Sequence, residues 1–309
     1  MVRIEKQSGS KILRMARTYA ERLGSMAGSG DDAVSLGGAR QRAQRRMISR
    51  LAVATVAAGA TLGFAGTAHA IHRSGQVNVA PGQTGTIDLN CPAGYGNIVS
   101  GGGVTTTPQL RIIGSFPLPD FVTWRVIATN LTGSTQTLYA GATCRTGFVS
   151  YDMRAVALPT GAYAVGESVA SCLGTRQAMG GGFLVANANV PIIGSRIQGN
   201  NWRVRAYNGN SGTTNITSFV TCSGSLPARV DTNPPDTTTV GPGGVAFPTK
   251  YCPSGWLASG GFWSNIDHNW TIVTGSLPNQ DTSGNSLWKW NFRNWDSVSH
   301  TYERTISCF

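Results

Sequence analysis

The sequence is short of charge, of histidine and of long apolar runs. Asp, Glu, Lys and Arg make up only 13% of its 309 residues. After residue 70 there are three histidines (His72, His268, His300) and two glutamates (Glu167, Glu303). So few titratable groups leave little material for a metal cage or a paired-carboxylate site, and the sequence predicts no catalytic residue set, no metal site and no cofactor. The longest apolar run, LAVATVAAGATLGFAG at residues 51–66, is shorter than the roughly 20 residues that a membrane helix needs. Strong helix formers are scarce and Gly is abundant at 40 residues, which points to short strands joined by tight turns.

The net charge of +11 is unevenly spread. Residues 1–70 hold 11 basic and 4 acidic residues (+7), and residues 71–309 hold 14 and 10 (+4). The basicity thus belongs mainly to the leader, and the rest of the chain does not read as nucleic-acid binding. Arg40, Arg42, Arg45, Arg46 and Arg50 precede the apolar run, which ends in Thr67-Ala68-His69-Ala70. A basic segment, a short apolar segment and an A-x-A site together form the secretory pattern, predicting cleavage after Ala70 and no membrane span afterwards. Met47 opens a signal peptide of ordinary length (47–70). Residues 1–46 would then be a basic leader that translation from Met47 omits. Arg45-Arg46 fits a twin-arginine signal only loosely.

All six cysteines, Cys91, Cys144, Cys172, Cys222, Cys252 and Cys308, follow the cleavage site, as disulfides of an exported protein would. Cys91, Cys172 and Cys252 are 81 and 80 residues apart, and each opens a similar stretch: CPAGYGNIVSGGGV, CLGTRQAMGGGF and CPSGWLASGGFW. An apolar doublet with Gly-Ser follows in two copies (Ile112-Ile113-Gly114-Ser115 and Ile192-Ile193-Gly194-Ser195), and Val273-Thr274-Gly275-Ser276 follows in the third. Trp124, Trp202 and Trp288 are each followed by Asn six residues later (Asn130, Asn208, Asn294) and then by Cys after fourteen more (Cys144, Cys222, Cys308). A threefold internal repeat without insertion over this stretch predicts a strand, a turn and a second strand of fixed length. The first strand alternates, with Trp124, Val126, Ala128 and Asn130 on one side, so the Trp side is core. Asn at its end suits a turn, because its side chain bonds nearby backbone.

The organisation read from this is all-β: repeats at 71–146, 147–223 and 224–309, the last opened by the linker DTNPPDTTT, each with about five or six short strands. Their packing is either β-prism-like or a set of packed β-sandwiches, with pseudo-threefold symmetry. Symmetry leaves two disulfide patterns. Either each repeat closes on itself (Cys91–Cys144, Cys172–Cys222, Cys252–Cys308), or neighbours are linked (Cys144–Cys172, Cys222–Cys252) with Cys91–Cys308 closing a ring. The near-constant length of the bracket favours the first. The glycine runs 101–103 and 180–182 lack the Lys-Ser/Thr of a phosphate loop and mark a bend or a close strand approach.

The pattern of C-P-x-G, a glycine run, W-x-V-x-x-x-N and a closing Cys resembles a repeat of secreted actinobacterial proteins of mostly unassigned function. It covers nearly all of residues 75–309 and rests on Cys91, Gly101 to Gly103, Trp124, Asn130, Cys144 and their counterparts. Three Cys-bracketed β repeats are also similar to the β-prism of the vitelline membrane outer layer family. Neither resemblance implies a catalytic residue.

Two features suggest a binding surface. The residue after the shared Trp is Arg125, Arg203 or Lys289, with Arg205 and Arg293 further along, so cations recur on the outward side of equivalent strands. A repeating anionic polymer, such as teichoic acid or an acidic polysaccharide, would suit them. Six of the eight tryptophans lie in the third repeat, and Trp256, Trp263, Trp270 and Trp295 have no counterpart in the others. Exposed Trp beside Asn and Asp is how sugar-binding surfaces stack pyranose rings. Asp267-His268, Asp296, His300 and Glu303 are the only acid–base grouping. The expectation is a secreted, non-enzymatic binder of glycan or anionic wall polymer, followed by a structural coat protein and then by an extracellular hydrolase using the third repeat.

Overall fold

The computed structural model describes residues 70–146, 152–224, 229–231, 234–264 and 271–309. The export segment, Asp267, His268 and Trp270 lie outside them. Among the described residues every regular element is a strand. Repeat one holds β1 (Ala70–Val79), β2 (Thr84–Asn90), β3 (Asn97–Thr105), β4 (Leu110–Pro117), β5 (Thr123–Asn130) and β6 (Gln136–Arg145). Repeat two holds β7 (Asp152–Thr160), β8 (Val165–Ser171), β9 (Gln177–Val185), β10 (Ile192–Gln198), β11 (Asn201–Tyr207) and β12 (Thr214–Ser223). In repeat three the first two positions are each split, giving β13 (Val230–Asp231), β14 (Asp236–Val240), β15 (Val245–Ala246) and β16 (Thr249–Tyr251). It continues with β17 (Ala258–Ser264), β18 (Thr271–Gln280), β19 (Ser286–Asn294) and β20 (His300–Cys308).

No repeat owns a sheet. The first sheet runs β1-β6-β3-β18-β19 with β15 and β16 beside β19, the second β7-β12-β9-β4-β5-β2, and the third β20-β17-β10-β11-β8 with β13 and β14 on β20. Each repeat therefore places its first, third and sixth strands in one sheet and its second, fourth and fifth in another. The three sheets close into a ring in which repeat three returns to repeat one. This is the prism-like alternative rather than three separate sandwiches. The joins are short and equivalent: Ser115↔Phe183, Ser195↔Phe262 and Ser276↔Gly103 are paired, each next to a Gly of the same strand.

Glycine explains how the strands meet there. A Cβ on Gly101, Gly181 or Gly260 would strike the ring of Trp124, Trp202 or Trp288, and one on Gly102, Gly182 or Gly261 would strike the carbonyl of Ser276, Ser115 or Ser195 in the neighbouring repeat. The shared element is therefore a Gly pair, one glycine for the indole and one for the crossing backbone. Each indole N–H then donates to the serine of its own repeat: Trp124 to Ser115 at 3.0 Å, Trp202 to Ser195 at 3.1 Å and Trp288 to Ser276 at 2.9 Å.

Between its two sheets each repeat buries a core. In repeat one it comprises Trp124, Val126, Ala128, Ile87, Leu89, Leu138, Ala140 and Ala142. The disulfides are Cys91–Cys144, Cys172–Cys222 and Cys252–Cys308, so each repeat closes on itself and the pattern that links neighbours is excluded. Each bond ties together the two sheets to which its repeat contributes. The closing cysteines Cys144 and Cys222 are fully buried and Cys308 nearly so. They are staples of the core, and none of them presents a group to a ligand. In repeat two, Cys222 sits where β12 shifts register against β9, between Thr221 and Cys222, so the bond forms beside a bulge rather than in a regular ladder. Closing loops with separations of 53, 50 and 56 residues restricts the unfolded chain by about 4 kcal/mol each in the chain-entropy model.

The turn asparagines are fully buried and reach further than their own turn. The Asn130 amide donates to Ser134 O in its turn and to Val79 O at the end of β1, both at 2.8 Å, while its carbonyl oxygen accepts the Thr132 N–H. Asn208 and Asn294 repeat this latch onto Thr160 O and Val240 O. One amide thus locks two hairpin turns at one end of the ring. At the other end Val99, Met179, Leu257 and the terminal Phe309 form a small apolar plug.

Candidate ligand-binding face

The three outer sheet faces are equivalent in backbone and different in chemistry. Beside the joins, the first sheet presents Val104, Leu277, Lys289 and Asn291, and the second Leu184, Phe116, Arg125 and Ile127. At the same positions the third sheet presents Trp263, Arg196, Arg203 and Arg205. Trp263 of β17 is only 7% exposed because three guanidinium groups cover it, with Arg196 at 4.6 Å, Arg203 at 5.3 Å and Arg205 at 5.9 Å from the ring centroid. An indole face attracts each cation, and three cations from repeat two share one ring from repeat three. Two carboxylates hold the outer flanks: Glu303 with Arg196 at 2.5 Å, and Glu167 with Arg203, which also bonds Gln198. Arg205 donates to Ser264 O at 3.1 Å. Among the described residues of this cluster, three arginines stand with two glutamates.

An open recess of about 550 Å³ lies at the edge of this cluster, lined by Tyr163, Val165, Gly166, Glu167, Arg205 and Trp263. Tyr163 is its most exposed wall at 63%, and its backbone has φ +51°. It sits in the β7–β8 turn, where the other two repeats place Gly82 and Gly243 at φ +67° and +63°. The left-handed conformation suits glycine, and a bulky residue held there is strained. Such strain concentrates at functional sites. The fold needs no ring at this position, since two repeats form the same turn without one. No family model matches the chain, and no curated protein matches it.

The other expected site residues are dispersed. Arg125 is on the second sheet, bound through two nitrogens to Asp88 at 2.7 and 2.6 Å, and this pairing raises its pKa further. Lys289 is exposed on the first sheet. The three recurring cations therefore occupy equivalent places on three separate faces, and only Arg203 joins the cluster. Trp256 is half-buried and packs against the core of repeats two and three, and Trp263 is the floor of the arginine cluster. Neither is an exposed tryptophan: Trp256 lies against the core and Trp263 beneath the three guanidinium groups. Trp295 is 37% exposed in the β19–β20 turn with Arg293 at 5.5 Å. His300 Nε2 lies 2.9 Å from Asp296 Oδ2 across that turn, a bond that holds the Asp296 carboxyl below its usual range. Glu303, which the sequence grouped with them, is engaged by Arg196 instead. Among the described residues no three His, Cys, Asp or Glu side chains converge as metal ligands.

Tyr163, Arg196 and Glu167 escape the sequence reading of the site. Aligning the turns of the three repeats would have found Tyr163, since it stands where the other two have Gly82 and Gly243; Phe121 breaks a glycine position in the same way, against Gly199 and Gly284. Arg196 and Trp263 come together only through the join between repeats, which has no local signal.

Proposed function

We propose that the protein is an exported, non-enzymatic binding protein that takes an acidic glycan or anionic cell-wall polymer on the outer face of the third sheet. Three disulfides are compatible with an extracellular protein, the leader carries a secretory pattern, and no helix among the described residues is long and apolar enough to cross a membrane. The observation that carries the reading is Tyr163, an exposed aromatic held in a strained turn beside Arg205 and Trp263. A pyranose ring would lie on the Tyr163 face. Its carboxylate or phosphate would compete with Glu167 for Arg203 and take a charge-assisted bond from Arg205. The recess is open to solvent, so a polymer chain has access to it.

The test is sedimentation of the purified protein with cell-wall preparations, before and after chemical removal of their anionic polymers. Binding should fall with rising salt and drop about tenfold in Arg205→Gln. Equal retention on stripped and intact walls, or unchanged binding by Arg205→Gln, would reject the reading. A structural coat protein is the alternative, and the Asp88–Arg125 and Glu167–Arg203 pairs favour it in so far as they already neutralise two of the recurring cations.

A further inference from the structure

A second cavity, sharing no lining residue with the recess although Phe262 and Trp263 are neighbours in β17, lies where all three repeats meet on the pseudo-threefold axis. It has a volume of about 50 Å³ and is lined among others by Gly101, Gly181 and Gly260 and by Ser115, Ser195 and Ser276. Each of these serines accepts an indole N–H through a lone pair, and none of the three hydroxyl protons has a protein acceptor among the described residues. One serine from each repeat therefore lines one small space, and the indole bond that each hydroxyl accepts strengthens it as a donor.

Arg111 lines the same cavity. Its Nη1 donates to Ala188 O at 2.9 Å, its buried Nε–H has no hydrogen-bond partner, and no carboxylate among the described residues pairs with it. Burial lowers its pKa, the mark of a cation whose solvation has not been replaced. The fold does not demand a cation there: Pro191 and Ile272 hold the same place in the other repeats. A partly buried guanidinium without a counter-ion is costly unless an anion completes it.

We infer that the axial cavity is a binding site for a small inorganic anion of halide size, held by Ser115, Ser195 and Ser276 with Arg111 as its counter-charge. The sign follows from Arg111, which repels a cation, and from the serines, whose hydroxyl protons remain available while one lone pair of each accepts an indole N–H. The size follows from the volume. A water occupies ~30 Å³ of liquid, whereas small-molecule pockets begin at roughly 300 Å³, so the cavity takes a monatomic ion with at most another water. Binding would link one side chain from each repeat and stabilise the closed ring.

The experiment is an anomalous-scattering map from crystals of the full protein soaked in sodium bromide, paired with thermal unfolding in gluconate, chloride and bromide at fixed ionic strength. A bromide peak is expected among the three serines, with a saturable rise in Tm in halide over gluconate. Arg111→Met should keep the fold, as the apolar equivalents indicate, and lose about tenfold or more of the halide affinity. Arg205→Gln should leave the halide response intact, which separates this site from the glycan face. No axial bromide peak, a peak only at the outer arginines, or a Tm indifferent to the anion would each overturn the inference.

Discussion

Replacing Tyr163 by glycine should make the protein more stable and less functional at once. A non-glycine residue in the left-handed region costs about 1–2 kcal/mol, which glycine would recover. Glycine also loses more chain entropy on folding, about 0.5–1 kcal/mol, which offsets part of that gain. The ring is 63% exposed and contributes little burial, and the Tyr163 N–H bond to Asn210 O at 3.3 Å is main-chain and survives. The net expectation is a stabilisation of roughly 0.5–1 kcal/mol, or about 1–4 °C in Tm for a folded unit of this size. Affinity for acidic glycan should meanwhile fall roughly tenfold, the loss of one exposed aromatic contact. Tyr163→Ala is the control, because it removes the ring and keeps the strained turn, so binding should fall with little change in Tm. Differential scanning calorimetry and isothermal titration with a uronate oligosaccharide read the two effects separately. If Tyr163→Gly lowers Tm by several degrees, the ring is structural. If it keeps full affinity, the recess is not where ligand sits.

Two further predictions probe the ring and its pH response. Gly182→Ala puts a methyl group on the Ser115 carbonyl at the join of repeats one and two, and should cost more than about 3 kcal/mol in urea unfolding, while Gly161→Ala, with nothing within 4 Å of its Cβ, should stay within about 0.5 kcal/mol. Equal costs would mean the join tolerates movement. His72 on β1 has its pKa lowered from 6.5 to about 4 by burial and, secondarily, by the charge of Lys289. Between those values the unfolded chain binds a proton that the folded one refuses, so stability should fall as pH drops from 6.5 towards 4 and the loss should level off below. His72→Gln should flatten the urea midpoint over that window, and an unchanged slope would assign the effect to other groups.

The parts of this structure that were legible in the sequence are those carried by short-range pattern. Trp124, Val126 and Ala128 alternate along one strand, so their inward face can be read from period two alone. The pairing of Cys172 with Cys222 was legible from the constant bracket length, although symmetry by itself allowed Cys222 to reach Cys252 instead. Asn130 was legible as a turn residue, but its bond to Val79 O spans 51 positions and has no sequence signature. The exchange of strands between repeats was hidden for the same reason: it rests on two-residue joins such as Gly114 and Ser115 against Leu184 and Phe183. Recurrence of Arg125, Arg203 and Lys289 was legible as three equivalent places, and threefold symmetry puts those places on three different faces. Chemistry converges instead between non-equivalent positions of neighbouring repeats, as with Arg196, Arg203 and Arg205 over Trp263.

Pseudo-symmetry also offers a way to separate what builds the ring from what uses it. Residues alike in all three repeats, namely the Gly pair, the Trp–Ser bond, the buried Asn and the disulfide, each have a structural partner that explains them fully. Four positions break the pattern: Tyr163 where the others have Gly82 and Gly243, Phe121 where the equivalent turns have Gly199 and Gly284, Trp263 where they have Val104 and Leu184, and Arg111 where they have Pro191 and Ile272. Tyr163 carries backbone strain, Trp263 gathers three like charges, and Arg111 buries a cation without a carboxylate. The strain at Tyr163 and the missing counter-ion of Arg111 are local costs that no contact among the described residues offsets, whereas the charges over Trp263 are offset by its indole and by Glu167 and Glu303. A protein serving only as an inert coat would be more stable with the residues its own other repeats supply. Tyr163 and Trp263 line one recess and Arg111 lines the axial cavity, whereas Phe121 lines neither, so it is Tyr163, Trp263 and Arg111 that favour ligand binding over a purely structural role.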